Sequence, residues 1–209
     1  MDAVSVTAGK PTHLSMPQAW RWPFAALAAT WAVLLLAYFA TYREIVGIWW
    51  RSGTFTHGFF ILPIVGYLIW QKWPLVREIA PRSSWLGSLA VLFIGLAWQL
   101  GQLVSAAVVQ HFAAVALFPA LAFSILGWGV LRHLLFPMAY LFLAVPFGEF
   151  MVPYLQDVTA SFTVAALQLT GIPVYVEGLF FSIPSGNFEI VQACSGIRYV
   201  IASVALGTL

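Results

Sequence analysis

Apolar residues in this chain fall into long unbroken runs. The stretch FAALAATWAVLLLAYFA occupies 24–40, and further runs cover 59–70, 85–98, 103–131 and 134–147. Polar punctuation separates them at QKWPLVREIAPRSS, at Gly101-Gln102 and at Arg132-His133. A run approaching about 20 apolar residues is long enough to cross a bilayer as a helix, and a shorter one reaches that length with its flanks. The pattern predicts membrane-crossing helices at 22–42, 58–71, 84–100, 104–130 and 134–148. The first run exceeds a typical signal-peptide core and has no A-x-A site before Thr41, so it reads as an uncleaved helix. Residues 1–21, with Lys10, Arg21 and two prolines, read as a cytoplasmic leader, and 22–209 as one membrane domain.

The pattern weakens over 150–170 (FMVPYLQDVTASFTVAALQLT), where Gln156, Asp157, Thr159 and Gln168 make a span costly. An interfacial or re-entrant helix is expected there. If the segment crossed instead, everything after it would change sides. From 174 to 191 the character changes again. VYVEGLFFSI and FEIV are rich in β-branched and aromatic residues and flank Pro184-Ser185-Gly186-Asn187, which predicts a β-hairpin. Open strands do not lie in hydrocarbon, so the hairpin belongs at the membrane surface. The expected fold is an all-α polytopic membrane protein with a short β-hairpin at the extracytoplasmic face, preceding the helix SGIRYVIASVALGTL.

Composition reinforces the membrane reading: 62% of residues are hydrophobic and 8% charged, too few to clothe a soluble domain. Lipid bilayer is therefore the expected surrounding. Lys10, Arg21, Lys72, Arg77, Arg82 and Arg132 fall on one side of the expected topology and only Arg43 and Arg51 on the other, which orients the N-terminus inward. A net charge of +2 with no basic run gives no support to nucleic-acid binding. One cysteine excludes an intramolecular disulfide framework or a cysteine-cluster metal site, and nothing in the chain calls for a cofactor.

That cysteine, Cys194, stands in IVQACSGIRYV. With a helix starting at the Ser195-Gly196 pair, Cys194 would lie at the helix N-terminus, where unpaired N–H groups favour a thiolate. Arg198, four residues on, would add a cation on the same face. A thiolate at a membrane surface is a nucleophile suited to acyl transfer. The plainer alternative is a buried cysteine acting as a small hydrophobe. An arginine so close to the membrane also needs an anionic partner, either the thiolate or Glu189.

The run PFGEF from Pro146, followed by GIPVYVEGLFFSIPSGNFEIVQACSGIRYV, closely resembles the exosortase and archaeosortase family, polytopic membrane cysteine enzymes of bacteria and archaea. ACSGIR at 193–198 matches that family's nucleophile motif, GIPVY-x-x-G its hairpin, and THGFF at 56–60 a feature near the second span. The resemblance implies that Cys194 is the nucleophile of a peptidase or transpeptidase, on the extracytoplasmic side of a bacterial inner membrane. Its substrates would be exported proteins with a C-terminal PEP-CTERM signal: Pro-Glu-Pro, a membrane helix and a basic tail. A link to exopolysaccharide production and polysaccharide export is implied as well. The family completes its catalytic set with an arginine and a histidine downstream of the cysteine motif, beyond Leu209. The run YVIASVALGTL is too short to cross a bilayer, so the sequence as given is expected to stop inside a helix and to be inactive by itself. Gln192 stands where many relatives would carry an acidic residue.

Other polar residues have modest readings. His57 at the outer end of the second span could serve the thiolate as a base, but a histidine that orients a loop is the preferred reading. His111 beside Gln110 reads as an interhelical polar contact, and His133 beside Arg132 as an interface anchor. Glu149 reads equally as a group that recognises a basic part of the substrate or holds a catalytic arginine, and as a solvated cap at a helix start. Asp157 reads as a solvated acid. The tryptophans near span ends, Trp20, Trp22, Trp49, Trp50, Trp70 and Trp73, read as interface belts. A transporter would pair intramembrane charges around broken helices; Pro63, Pro119 and Pro137 could break helices, but no charge pairs accompany them. A non-catalytic scaffold would fit the composition equally well and would not need Cys194.

Overall fold

The computed structural model describes residues 18–148, 151–191, 194 and 196–209. Four helical segments are long and apolar enough to cross a bilayer: Gln18–Ala37, Gly58–Val76, Trp85–Leu103 and the run from Ala107 to Ala144. Helix α1 (Gln18–Ala37) leads through Tyr38 into α2 (Phe39–Arg51) with little interruption. The Tyr38 N–H donates to Leu34 (3.0 Å) and the Tyr42 N–H to Tyr38 (3.1 Å). The sequence had suggested a loop after residue 42; the chain stays helical to Arg51. Thr41, Ile45 and Trp49 recur every four residues and are buried, so one face of α2 packs inward while Arg43 and Arg51 face out. Tyr42 donates its hydroxyl hydrogen to the Ala114 carbonyl (2.9 Å) and Trp49 its indole hydrogen to the Ala144 carbonyl (2.8 Å).

Helices α3 (Gly58–Val76) and α4 (Trp85–Leu103) follow, then α5 (Ala107–Tyr140) and a 3-10 turn, Leu141–Ala144. Helix α5 consists of two arms joined at Gly127, whose φ of 77° and ψ of 175° are not helical. The packing shows that the second arm returns alongside the first. Val115 joins a core with Ile45, Ile61, Tyr140 and Ala144, while Ala122 and Leu126 join a second core with Trp20, Val76, Leu131 and Leu134. Phe112 on the first arm meets Phe142 after the second, their ring centroids 6.2 Å apart. A reversal was expected here, but at the polar pair Arg132-His133. The apex is Gly127 because three conditions meet there. Its backbone conformation suits only glycine. A Cβ would lie 2.0 Å from the Arg82 carbonyl oxygen. The N–H groups of Arg82 and Ser84 satisfy the carbonyls of Leu126 (3.2 Å) and Ser124 (2.9 Å) at the end of the first arm. Arg132 and His133 ride on the second arm, where Arg132 Nε donates to His133 Nε2 (3.1 Å). The prolines at 63, 119 and 137 all lie inside helices.

Two tryptophans depart from the interface-belt expectation. Trp20 and Trp49 are buried, and Trp20 shares its indole hydrogen between the carbonyls of Arg77 and Ile79 (both 3.1 Å). Trp22, Trp50 and Trp70 remain exposed, as belt residues are.

After the 3-10 turn, α6 (Val152–Leu169) leads into strands β1 (Tyr175–Glu177), β2 (Phe180–Ile183) and β3 (Gly186–Glu189), and α7 (Ile197–Gly207) follows. The expected single hairpin is a three-stranded antiparallel sheet in the order β1-β2-β3. VYVEGLFFSI does not run as one strand: it turns at Gly178-Leu179, pairing Glu177 with Phe180. The second turn falls at Pro184-Ser185, inside the predicted turn, and pairs Ile183 with Gly186.

Candidate functional site

The sheet, α6 and α7 together present Cys194. Phe181 and Ile190 pack on Ala160 of α6, with Leu167, Val174 and Leu179 around them. The buried Gln156 donates from Nε2 to the Ile190 carbonyl (2.9 Å), and the Ile190 N–H donates to Leu179 (2.9 Å), so the exit of β3 is held from two sides. Four residues later the Cys194 N–H closes a turn onto the Val191 carbonyl (2.9 Å). The Cys194 carbonyl accepts from the Thr159 hydroxyl (3.2 Å), which also donates to Leu155 (2.8 Å). Cys194 is exposed, which removes the buried-hydrophobe reading.

Its relation to the helix differs from expectation. Cys194 lies outside α7: Gly196, with φ of 74°, takes the left-handed conformation at the N-cap, and the helix begins at Ile197. The preference of glycine for this conformation explains why the helix starts two residues late. Arg198 is therefore the second residue of α7 and does not share a helical face with Cys194. The Gly196 carbonyl accepts the N–H groups of Tyr199 (3.0 Å) and Val200 (3.3 Å). The N–H groups of Ile197 and Arg198 are first-turn donors without an intrahelical acceptor, on the side from which Cys194 enters.

Arg198 is half-buried, and its Nε has no hydrogen-bond partner. Its guanidinium carbon lies 5.9 Å from the Tyr199 ring centroid. Among the described residues no carboxylate lies within ion-pair distance of it, so the suggested pairing with Glu189 does not form. Helix α7 is fixed to the bundle by Tyr140, whose hydroxyl donates to the Ala205 carbonyl (3.0 Å) within a buried contact. A Cβ at Gly148 would lie 3.6 Å from Ile197 Cδ1, so the PFG segment runs beside the start of α7. Ser195 and Glu149 lie outside the described residues.

His57 is the residue before α3, and both ring nitrogens face backbone carbonyls, Nδ1 that of Thr54 and Nε2 that of Leu143 (3.1 Å each). These contacts pin the 52–57 turn to the 3-10 turn, the orienting role preferred from the sequence. His111 makes an interhelical contact, but with Glu44 of α2, 3.5 Å away and outside hydrogen-bond geometry. Gln110 instead donates to the Gly101 carbonyl (3.2 Å).

Tyr140, Gln156 and Thr159 hold the cysteine segment in place, and sequence reasoning had not assigned them this task. The available signal was the polarity of 150–170, where Gln156 and Thr159 sit three residues apart on one helical face. It was read only as a cost of crossing the membrane.

Membrane-crossing helices carrying a small sheet and an exposed cysteine define a multi-pass membrane protein. The chain belongs to the transmembrane exosortase family, whose sequence model matches residues 49–209. No curated protein and no solved structure matches it.

Proposed function

We propose that this protein cleaves or transfers exported proteins at a C-terminal PEP-CTERM-type sorting signal through a thioester on Cys194. The observation that carries the reading is the exposed Cys194 beside the free first-turn donors of α7 and the unpaired Arg198 Nε. In this scheme the Cys194 sulfur attacks a peptide carbonyl carbon of the signal. The C–S bond forms, the C–N bond breaks, and the amine leaves carrying the proton lost by the thiol. An acceptor amine or water then bonds to the acyl carbon, the C–S bond breaks, and the proton the incoming nucleophile loses passes to the sulfur. The negative charge developing on the carbonyl oxygen is matched by the N–H groups of Ile197 and Arg198 and by the Arg198 guanidinium. Ser195 and Gly196 shape the approach, Glu149 receives a basic group, and His57 keeps its structural task.

Arg21, Arg77, Arg82 and Arg132 belong to the end of the bundle where Trp20 meets Arg77 and Ile79, which supports an inward N-terminus. Helix α6 is not among the segments long and apolar enough to cross, which supports an interfacial α6 and an extracytoplasmic Cys194. The setting is then the bacterial inner membrane, with exopolysaccharide production as the associated process.

The test is a reporter protein ending in such a signal, co-produced with the wild-type protein or with Cys194→Ala. Processing should disappear in the variant while its membrane abundance holds. Continued processing at the wild-type rate would refute the assignment and favour a scaffold.

A further inference from the structure

Helices α1 and α2 form a nearly continuous rod that is longer than the bilayer core. At 1.5 Å per residue, Arg43 lies about 33 Å along it from Arg21, against a hydrocarbon thickness of about 30 Å. Arg21 and Arg43 therefore mark opposite membrane interfaces, and the stretch from Arg43 to Arg51 stands at headgroup level. Arg43, Gly47 and Arg51 follow one another at four-residue intervals along α2, and with Glu44 and Trp50 they line an open groove of about 630 Å³. A Cβ on Gly47 would lie 3.5 Å from Arg51 Nη2, so the Arg51 guanidinium folds back over the glycine toward Arg43. Glu44, the acid within this stretch, has its carboxylate 3.5 Å from Nε2 of the buried His111 on α5. Among the described residues neither Arg43 nor Arg51 forms an ion pair. Trp50 is 82% exposed beside them, where an indole sits well at the interface.

We infer that this groove binds the phosphate of an anionic phospholipid. Two guanidinium groups converge on a recess that lacks a side chain, at the depth of the phosphates, and the one carboxylate at its edge, Glu44, is half exposed and contacts His111 on α5. Guanidinium matches phosphate oxygens in charge and in geometry. A bound lipid would fix the end of α2, from which Trp49 reaches the Ala144 carbonyl beside the turn that His57 holds. Arg43 and Arg51 lie more than a hundred residues before Cys194 in the chain, and lipid binding there is measurable without any processing reaction.

The test uses the full-length protein, delipidated in detergent and titrated with phosphatidylglycerol, phosphatidylcholine, inorganic phosphate or a glutamate-containing peptide, with retention read by native mass spectrometry. The wild type should retain phosphatidylglycerol in preference to the other three. The double variant Arg43→Gln/Arg51→Gln should bind it about tenfold or more weakly, as expected for the loss of charge-assisted contacts. Gly47→Leu, which keeps both charges and favours the helix, should also weaken retention, whereas Arg132→Gln should leave it unchanged. Thermal melts of the delipidated variants confirm that they fold. Undiminished phosphatidylglycerol retention in the double variant, equal retention of phosphatidylcholine, or preference for free phosphate or the peptide would overturn the inference.

Discussion

Gly127→Ala is the sharpest perturbation of the fold. The substituted residue would have to hold φ of 77° and ψ of 175°, a region used almost only by glycine and costing about 1–3 kcal/mol for other residues. Its Cβ would also meet the Arg82 carbonyl oxygen at 2.0 Å. Relieving that overlap means moving backbone that donates hydrogen bonds to Leu126 and Ser124, and such overpacking adds about 1–3 kcal/mol. The sum is about 2–6 kcal/mol, or a lowering of Tm by roughly 5–20 °C for a chain of this size. Thermal unfolding in detergent followed by tryptophan fluorescence measures it. Gly66→Ala is the control, because nothing lies within 4 Å of its Cβ and the residue is inside α3; it should be neutral or slightly stabilising. If Gly127→Ala melted with the wild type, the reversal of α5 at this residue would be wrong.

The remaining predictions concern the cysteine segment. Gln156→Leu leaves the Ile190 carbonyl without its buried donor, costing about 1–3 kcal/mol, and should increase proteolysis within 174–191 while α1 to α5 stay protected. Thr159→Val removes the hydroxyl on the Cys194 carbonyl; alkylation of Cys194 by a maleimide should change in rate while Tm falls by no more than a few degrees, and an unchanged rate would deny Thr159 a positioning role. Tyr140→Phe should loosen α7 from the bundle by about 0.5–1.5 kcal/mol, because the Ala205 carbonyl keeps only the longer Thr208 hydroxyl contact (3.4 Å), seen as faster amide exchange across 197–207. His57→Ala should lower Tm through loss of the contacts to Thr54 and Leu143 while leaving Cys194 alkylation unchanged; an altered alkylation rate with full stability would restore the base reading.

The membrane helices were legible because an apolar run of sufficient length has few other uses. Their ends were harder to place. Residues 43–51 looked like a loop because Arg43, Glu44 and Arg51 are charged, yet Thr41, Ile45 and Trp49 carry a four-residue period that keeps the helix going. Polar residues also misplaced the reversal of α5. Arg132 and His133 were the visible punctuation, whereas Gly127 acts through a backbone conformation and through hydrogen bonds from Arg82 and Ser84, which lie more than forty residues earlier in the chain by their numbering. The same difficulty recurred at Gly178, where an apparent long strand turns.

At the site, the exposed position of Cys194 ahead of a helix was legible, but its geometry relative to that helix was not. Gly196 in the left-handed conformation delays the helix and separates Cys194 from the face of Arg198. That separation leaves the Ile197 and Arg198 N–H groups without an intrahelical acceptor at the helix start. The spacing of Gln156 and Thr159 marked a polar helical face but not its partners, because these depend on α6 packing against the exit of a sheet whose second hairpin was itself unforeseen.

The most direct measurement of the central claim is mass spectrometry of the protein after brief incubation with a substrate ending in a PEP-CTERM signal, quenched in acid and digested. The account predicts an acyl adduct on the peptide containing Cys194, released by neutral hydroxylamine as a thioester is. Processing of the substrate by the Cys194→Ala variant, or an adduct on a different residue, would contradict it.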